Sequence, residues 1–285
     1  MSRLQAGTIH TLKVARQAPF GYFLSNGQED VLLHNNELKE GFDASEPQTV
    51  FLYQDHQGRL SATMTIPTVQ IGSYDWVEVA GAKRQLGVFV SIGINKDILI
   101  SKDDLPLIET LWPAKGDKLY CTLKNDKKGR LFAVPATENV MREIAHPAAE
   151  DDFNKNIHGY VYRLIKEGSF MMTEEGFLGF IHKSQRQEEP RLGQKVEGRI
   201  IEVKEDGSVN VSLLGRSHES IDDDAERIYR FLEGRGGAMP YSDKSLPEDI
   251  KERFGISKAA FKRALGRLMR EGKVYQKEGW TYLKK

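Results

Sequence analysis

"APFGYFL" (residues 18–24) has the alternation of an ordinary β-strand, but its core is written twice more in the chain. "QLGVFV" (85–90) and "KEGSFMM" (166–172) repeat a Gly, one intervening residue, a Phe and then an aliphatic residue or Met. About ten residues later comes a second signal, in "DVLLHNNEL" (30–38), "DILISKDDL" (97–105) and "LGFIHKSQ" (178–185). A third is a hairpin turn between alternating runs: "VFLYQDHQGRLSATM" (50–64), "LYCTLKNDKKGRLFAV" (119–134) and "VEGRIIEVKEDGSVNVSL" (196–213). Phe23 to Gly58, Phe89 to Gly129 and Phe170 to Gly207 are separated by 35, 40 and 37 residues. Signals recurring in one order at near-constant spacing mark a repeat of whole domains.

Ahead of each Phe lies a further alternating run: "GTIHTLKVA" (7–15), "YDWVEVAGA" (74–82) and "IHGYVYRLI" (157–165). Each unit therefore reads as about five short strands in roughly 60 residues, with Gly, Asn or Asp at the turns. So small an antiparallel sheet exposes its edges unless it closes on itself. A five-stranded Greek-key barrel of the OB type closes within this length. A small open sandwich is the alternative, although sandwiches usually need more strands. The units occupy residues 1–67, 70–137 and 154–216. Between the second and third, "ENVMREIAHPAAEDDF" (138–153) reads as a linker with a short helix that breaks before Pro147.

After Leu214 the two-residue alternation stops, and residues 217–285 read as a separate α+β domain. "IDDDAERIYRFLEG" (221–234) sets Ile221, Ala225, Ile228 and Leu232 on one helical face, with acidic residues in the first turn. "SLPEDIKERFG" (245–255) predicts a second helix, N-capped by Ser245 and stopped by Gly255. "SKAAFKRALGRLMREG" (257–272) predicts a third, capped by Ser257, with Phe261, Leu265, Leu268 and Met269 inward. "KVYQKEGWTYLKK" (273–285) predicts a hairpin turning at Glu278–Gly279. Three helices and a hairpin are the order of a winged helix, whose third helix commonly reads a nucleic-acid groove. Lys262, Arg263, Arg267 and Arg270 cluster opposite its apolar stripe, in a segment (257–273) with six Lys/Arg and one Glu.

The remainder of the 285-residue chain narrows the possibilities by what it lacks. Lys+Arg and Asp+Glu each total 41, so attraction to a polyanion has to come from local patches. The single cysteine, Cys121, rules out an internal disulfide and reads as strand filler within "KLYCTLK". No leader peptide or spanning segment is apparent, which predicts a cytoplasmic protein with no membrane partner. Phosphate-loop, zinc-helix and nucleophile-elbow motifs are absent, and no stretch is left over for a catalytic domain, so neither enzyme activity nor a metal or small-molecule cofactor is expected.

The repeated letters resemble those of S1 RNA-binding domains: Gly-x-Phe on the second strand, an aliphatic-His step, and an Asp-x-x-Gly-Arg hairpin. In that family two strand aromatics, the His, and the Asp and Arg of the hairpin face RNA. The resemblance implies those roles for Phe20, Phe23, His34, Asp55 and Arg59 in unit one. In unit two it implies them for Phe89, Asp126 and Arg130, with Leu86 and Ser101 replacing an aromatic and the His. Unit three keeps Phe170 and His182 but has Glu167 in the first aromatic place, with Lys204 and Ser208 in the hairpin; Lys204 could meet a phosphate where Glu167 would repel one. The full ligand set is thus expected in unit one alone. Alternation by itself places either Tyr22 or Phe23 inward, and His34 and His182 could equally cap loops. Three S1-like barrels followed by a winged helix resemble the conserved virulence factor B family of bacterial proteins. This implies a non-catalytic, RNA-binding regulator of gene expression that contacts single strands.

Two other functions fit the same letters. A duplex-DNA transcription regulator would read through Lys262, Arg263, Arg267 and Arg270, with the barrels as scaffold. A protein–protein interaction scaffold would suit the balanced charge and bind free nucleic acid negligibly.

Overall fold

The structure is a computed structural model that describes residues 3–215 and 217–284, without the side chains of 217–223. The chain forms two compact units, Met1–Leu213 and Leu214–Lys285. The first holds three closed five-stranded barrels. Barrel one comprises β1 (Ile9–Ala18), β2 (Gly21–Ser25), β3 (Asp30–His34), β4 (Gln48–Gln54) and β5 (Leu60–Thr63). Barrel two comprises β6 (Asp75–Lys83), β7 (Gly87–Ser91), β8 (Ile98–Ser101), β9 (Lys118–Asn125) and β10 (Leu131–Pro135). A short helix α1 (Glu138–Ile144) leads to barrel three: β11 (Asn156–Ile165), β12 (Gly168–Thr173), β13 (Leu178–His182), β14 (Lys195–Val203) and β15 (Val209–Ser212).

In each barrel the strands run in the order 1-2-3-5-4, with the third and fifth parallel and every other pair antiparallel. This is the OB connectivity, and closure leaves no free sheet edge. Each first strand carries a register shift, at Val14/Arg16, Val79/Gly81 and Val161/Arg163. Such bulges bend the strand and tighten its twist, as a small closed barrel requires.

The glycine of each Gly-x-Phe has a steric origin. A Cβ at Gly21, Gly87 or Gly168 would lie 2.2, 2.0 or 2.2 Å from the carbonyl oxygen of Leu33, Ile100 or Ile181 on the neighbouring strand. Only glycine admits that approach, and the Phe two places later stands on the same face of the strand. Tyr22 and Leu24 instead take the inner face of barrel one, where Tyr22 packs on Phe42 at 4.7 Å between ring centroids. The choice between Tyr22 and Phe23 is therefore settled with Tyr22 inward.

The barrels are not independent beads. Phe51 and Tyr53, on the outer face of β4, are buried in the same apolar cluster as Val79, Val90, Ile100 and Leu123 of barrel two. Glu37, also buried, accepts hydrogen bonds from Tyr53 Oη (2.9 Å) and Asn95 Nδ2 (2.8 Å) across that junction. Barrel three joins barrel two through Leu192, through the ion pair of Arg191 with buried Asp117 (3.2 Å), and through Trp76 against Tyr160 (5.3 Å). The segment before barrel three is more than a spacer, because Met141 of α1 is fully buried against Tyr162 and Met172. Cys121 is buried inside barrel two, and burial pushes its thiol well above the ordinary range.

The second unit has α2 (Ser217–Gly234), β16 (Ala238–Met239), α3 (Pro247–Phe254), α4 (Lys258–Arg270), β17 (Val274–Lys277) and β18 (Trp280–Leu283). Its three-stranded sheet runs β16-β18-β17, the arrangement of a winged helix. Ala225, Ile228, Leu232, Ile250, Phe254, Phe261, Leu265 and Leu268 fill the core, while the side chain of Ile221 lies outside the described residues. Two expectations are corrected. Met269 is 40% exposed, and Ala264 completes the inward stripe in its place. The N-cap of α3 is Leu246, with Pro247 opening the helix; Ser245 Oγ accepts instead from Ser242 N (2.9 Å). Ser257 does cap α4, accepting from Ala260 N (3.2 Å), and Gly255 ends α3 in the left-handed region at φ 69°. Glu278 and Gly279, at φ 52° and 82°, turn the wing. Among the described residues no helix is long and apolar enough to cross a membrane.

Candidate nucleic-acid interface

Strand register brings together residues that are distant in sequence. In barrel one Arg16, Phe23, Leu32 and Ser61 are cross-strand neighbours over β1, β2, β3 and β5. The corresponding rows are Gly81, Phe89, Leu99 and Phe132 in barrel two, and Arg163, Phe170, Phe180 and Asn210 in barrel three. Phe23, Phe89 and Phe170 all lie outside the barrel cores and are half-buried. Each has a cation over its ring: Arg16 at 3.5 Å from the Phe23 centroid, Lys83 at 5.7 Å from Phe89, and Arg163 at 5.5 Å from Phe170. The Phe23 ring is therefore not bare, since a guanidinium covers it. A guanidinium plane is itself a stacking surface for a base, so the pair Phe23–Arg16 remains a platform with positive charge added.

Around that row the barrels diverge. Phe20 is 47% exposed and lies edge-on to Phe23 at 6.3 Å. Leu86 and Glu167 occupy the same backbone place: Phe20 O accepts from Asn35 N, Leu86 O from Lys102 N, and Glu167 O from Lys183 N. His34, Ser101 and His182 likewise share one position, each capping a 3-10 turn. His34 Nδ1 accepts from Asn36 N (3.2 Å), and His182 Nδ1 from Ser184 N (3.2 Å). Capping and ligand binding are compatible here. Accepting at Nδ1 leaves the neutral ring's proton on Nε2, as a donor for a base edge or ribose.

Each hairpin carries a basic side chain: Arg59, Arg130 or Lys204. Asp55 Oδ1 accepts from Gln57 N and Arg59 N, while Oδ2 accepts from Arg59 Nε (2.8 Å) and Nη2 (2.7 Å). Asp126 holds Lys128 N, Arg130 N and the Arg130 guanidinium in the same way, at 2.7–2.8 Å. Partial burial raises the Asp55 carboxyl, but the hydrogen bonds from Arg59 outweigh it and the net direction is down. For Asp126 the backbone hydrogen bond from Arg130 leads, again downward. The two turns are also neighbours. Gln54 Nε2 donates to Gly129 O (2.7 Å), its Oε1 accepts from Leu131 N (3.2 Å), and Lys96 Nζ donates to the Gln54 and Asp55 carbonyls (2.6 and 2.9 Å). In barrel three the turn has the same backbone bonds, Lys204 N to Ser208 O and Gly207 N to Lys204 O. There Lys204 is exposed, with Nζ 5.9 Å from the Phe180 ring, and no arginine stands at the Ser208 position.

On the winged helix, Lys262, Arg263 and Arg270 are exposed, whereas Arg267 is half-buried and ion-paired with Glu271 (2.7 Å). The wing adds a feature that sequence reasoning missed. Tyr275, Tyr282 and Trp280 form a stacked ladder with centroids 5.3 and 6.4 Å apart, and Tyr275 and Trp280 are exposed. Also missed were Arg16, Lys83, Arg163, Phe132 and Phe180. For Phe132 and Phe180 a signal existed, since each lies two residues from an identified one (Arg130 and His182) on an alternating strand.

Comparison with known proteins agrees with this architecture. Residues 6–65 match the S1 domain model, 74–134 the first S1-like domain of CvfB, 141–215 the second domain of the virulence regulatory factor CvfB, and 226–283 the CvfB-like winged helix domain. The chain is 53% identical to the uncharacterized protein YitL of Bacillus subtilis, covering 99% of this chain and 95% of that one. It is 37% identical to conserved virulence factor B of Staphylococcus saprophyticus, covering 98% and 97%. A crystal structure from Streptococcus pneumoniae, described as a multidomain protein with nucleic acid binding domains, superposes with a TM-score of 0.69 at 37% identity, covering 98% of each chain. With S1-like and winged-helix domains in this order along its whole length, the chain belongs to the conserved virulence factor B family.

Proposed function

We propose that this protein binds single-stranded RNA through the outer faces of its barrels and regulates gene expression in the cytoplasm at the RNA level, without catalysis. The observation that carries this reading is the recurring row of a cation over a strand aromatic, set beside a hairpin cation. A base stacked on an aromatic side chain gains about 1–3 kcal/mol, and neighbouring Arg or Lys holds the phosphate chain. The donor on His34 and His182 suits a 2′-hydroxyl, the group that distinguishes RNA from DNA. Fixed junctions between barrels favour avidity, because modest sites held at constant spacing act together on one strand.

The test is competition on the full chain between single-stranded RNA, single-stranded DNA and duplex DNA of matched sequence. RNA should win, and RNA recovered from the complex should be uncut. Duplex DNA winning would overturn the reading in favour of the winged helix, whose exposed Lys262, Arg263 and Arg270 support that second possibility. In that case reversing Lys262 and Arg263 to Glu should abolish duplex binding.

A further inference from the structure

We propose that Arg142, on the linker helix α1, completes the nucleotide-binding face of barrel three by holding a backbone phosphate of single-stranded RNA. Resting on the function proposed above, this assigns to the linker the task that Arg59 and Arg130 perform within the first two barrels.

Register defines the missing group. Leu32 pairs with Ser61, Leu99 with Phe132, and Phe180 with Asn210. Two residues before those partners lie Arg59, Arg130 and Ser208. Ser208 carries no charge, and its hydroxyl donates to Asp206 (2.7 Å). Beside it opens a cleft of about 310 Å³ lined by Arg142, His146, Leu178, Asp206 and Ser208. The linker thus brings a guanidinium to the place where the hairpin has none.

Arg142 is held as its counterparts are. Arg59, Arg130 and Arg142 each pair with a carboxylate four residues earlier: Asp55 (2.7 Å), Asp126 (2.7 Å) and Glu138 (3.0 Å). The three arginine side chains are 64%, 61% and 56% exposed, fixed at one edge and open to a ligand. The helix beneath Arg142 is anchored by Met141. Beyond it His146 N donates to Gly176 O (2.8 Å) and Ala148 N to Gly207 O (2.9 Å). A Cβ at Gly207 would lie 2.4 Å from the Pro147 ring, so linker and hairpin are in direct contact. Glu138 also accepts from Tyr162 Oη (2.8 Å) and pairs with Arg163 (3.4 Å), the residue over Phe170. One carboxylate therefore ties the proposed phosphate ligand to the proposed base platform.

The experiment titrates the full chain with a mixed-sequence single-stranded oligoribonucleotide over a salt series. Arg142→Ala should weaken binding roughly three- to tenfold and lower the slope of log K against log salt by about 0.7, the loss of one phosphate contact. Arg142→Lys should keep the slope, and Ser208→Arg in the Arg142→Ala background should restore it. An exposed ion pair four residues apart contributes little to stability, so the thermal midpoint should barely move. An unchanged slope in Arg142→Ala would overturn the inference while leaving the function standing, provided Phe23→Ala still weakens binding. If the unaltered chain does not bind the oligoribonucleotide, the functional reading fails, and this inference with it.

Discussion

Barrels one and three have the same strand order, the same bulge and the same glycine contact, yet their outer faces are built differently. In barrel one the proposed ligand set sits on the barrel itself: Phe20 exposed, Phe23 under Arg16, and Arg59 tethered to Asp55. In barrel three Phe170 packs among Tyr162, Phe180 and the cluster around Met141, so part of that face has become core. What the barrels share is dictated by closure of the fold, whereas what they do not share is free to follow the ligand. Shared features should therefore break alike, and divergent ones should break differently.

The largest effect expected is common to both. Gly21→Val and Gly168→Val each drive a side chain into a strand carbonyl, and each should cost about 3 kcal/mol or more in thermal or denaturant unfolding. Next come the aromatics, where the barrels part. Phe23→Ala should weaken RNA binding by about 1–3 kcal/mol, read by fluorescence anisotropy, with little loss of stability. Phe170→Ala should weaken binding as well but should also destabilise the chain by about 2 kcal/mol, because it opens a cavity against α1 and Phe180. A smaller gain is expected from Glu167→Phe, which gives barrel three the exposed ring of barrel one and removes a charge that repels phosphate. Binding should tighten by about 1 kcal/mol.

The smallest effect concerns pH. The carboxyls of Asp55 and Asp126 sit below their ordinary value, so their tethers are fully formed above about pH 4 and weaken as pH falls through the lowered values. The Nε–H chemical shifts of Arg59 and Arg130 should stay at their hydrogen-bonded positions down to about pH 4 and move toward that of a free arginine only in stronger acid.

Much of the fold was legible because closure of a small barrel imposes local letters. A glycine must stand where two strands nearly touch, a hairpin needs Gly58, Gly129 or Gly207 at positive φ, and both recur in register. The rows across the strands were not legible, because pairing Arg16 with Phe23 or Arg163 with Phe170 requires knowing where the bulge falls. A one-residue slip would have pointed each of them elsewhere. The burial of Met141 was hidden for a related reason, since its partners Tyr162 and Met172 belong to strands some distance along the chain. Met269 and Ser245 misled because helical periodicity and capping preference each gave way to tertiary packing.

The buried cluster that joins Phe51 and Tyr53 to the second barrel has a consequence for how the molecule can be taken apart. Cutting near residue 70 would strip two large aromatic side chains of their cover and strand Glu37 without Asn95. The modules therefore cannot be shuffled or excised as freely as their repeated sequence suggests. The first two should therefore melt as a single cooperative block, and a fragment ending between them would expose that cluster and be an aggregation hazard rather than a minimal binding domain.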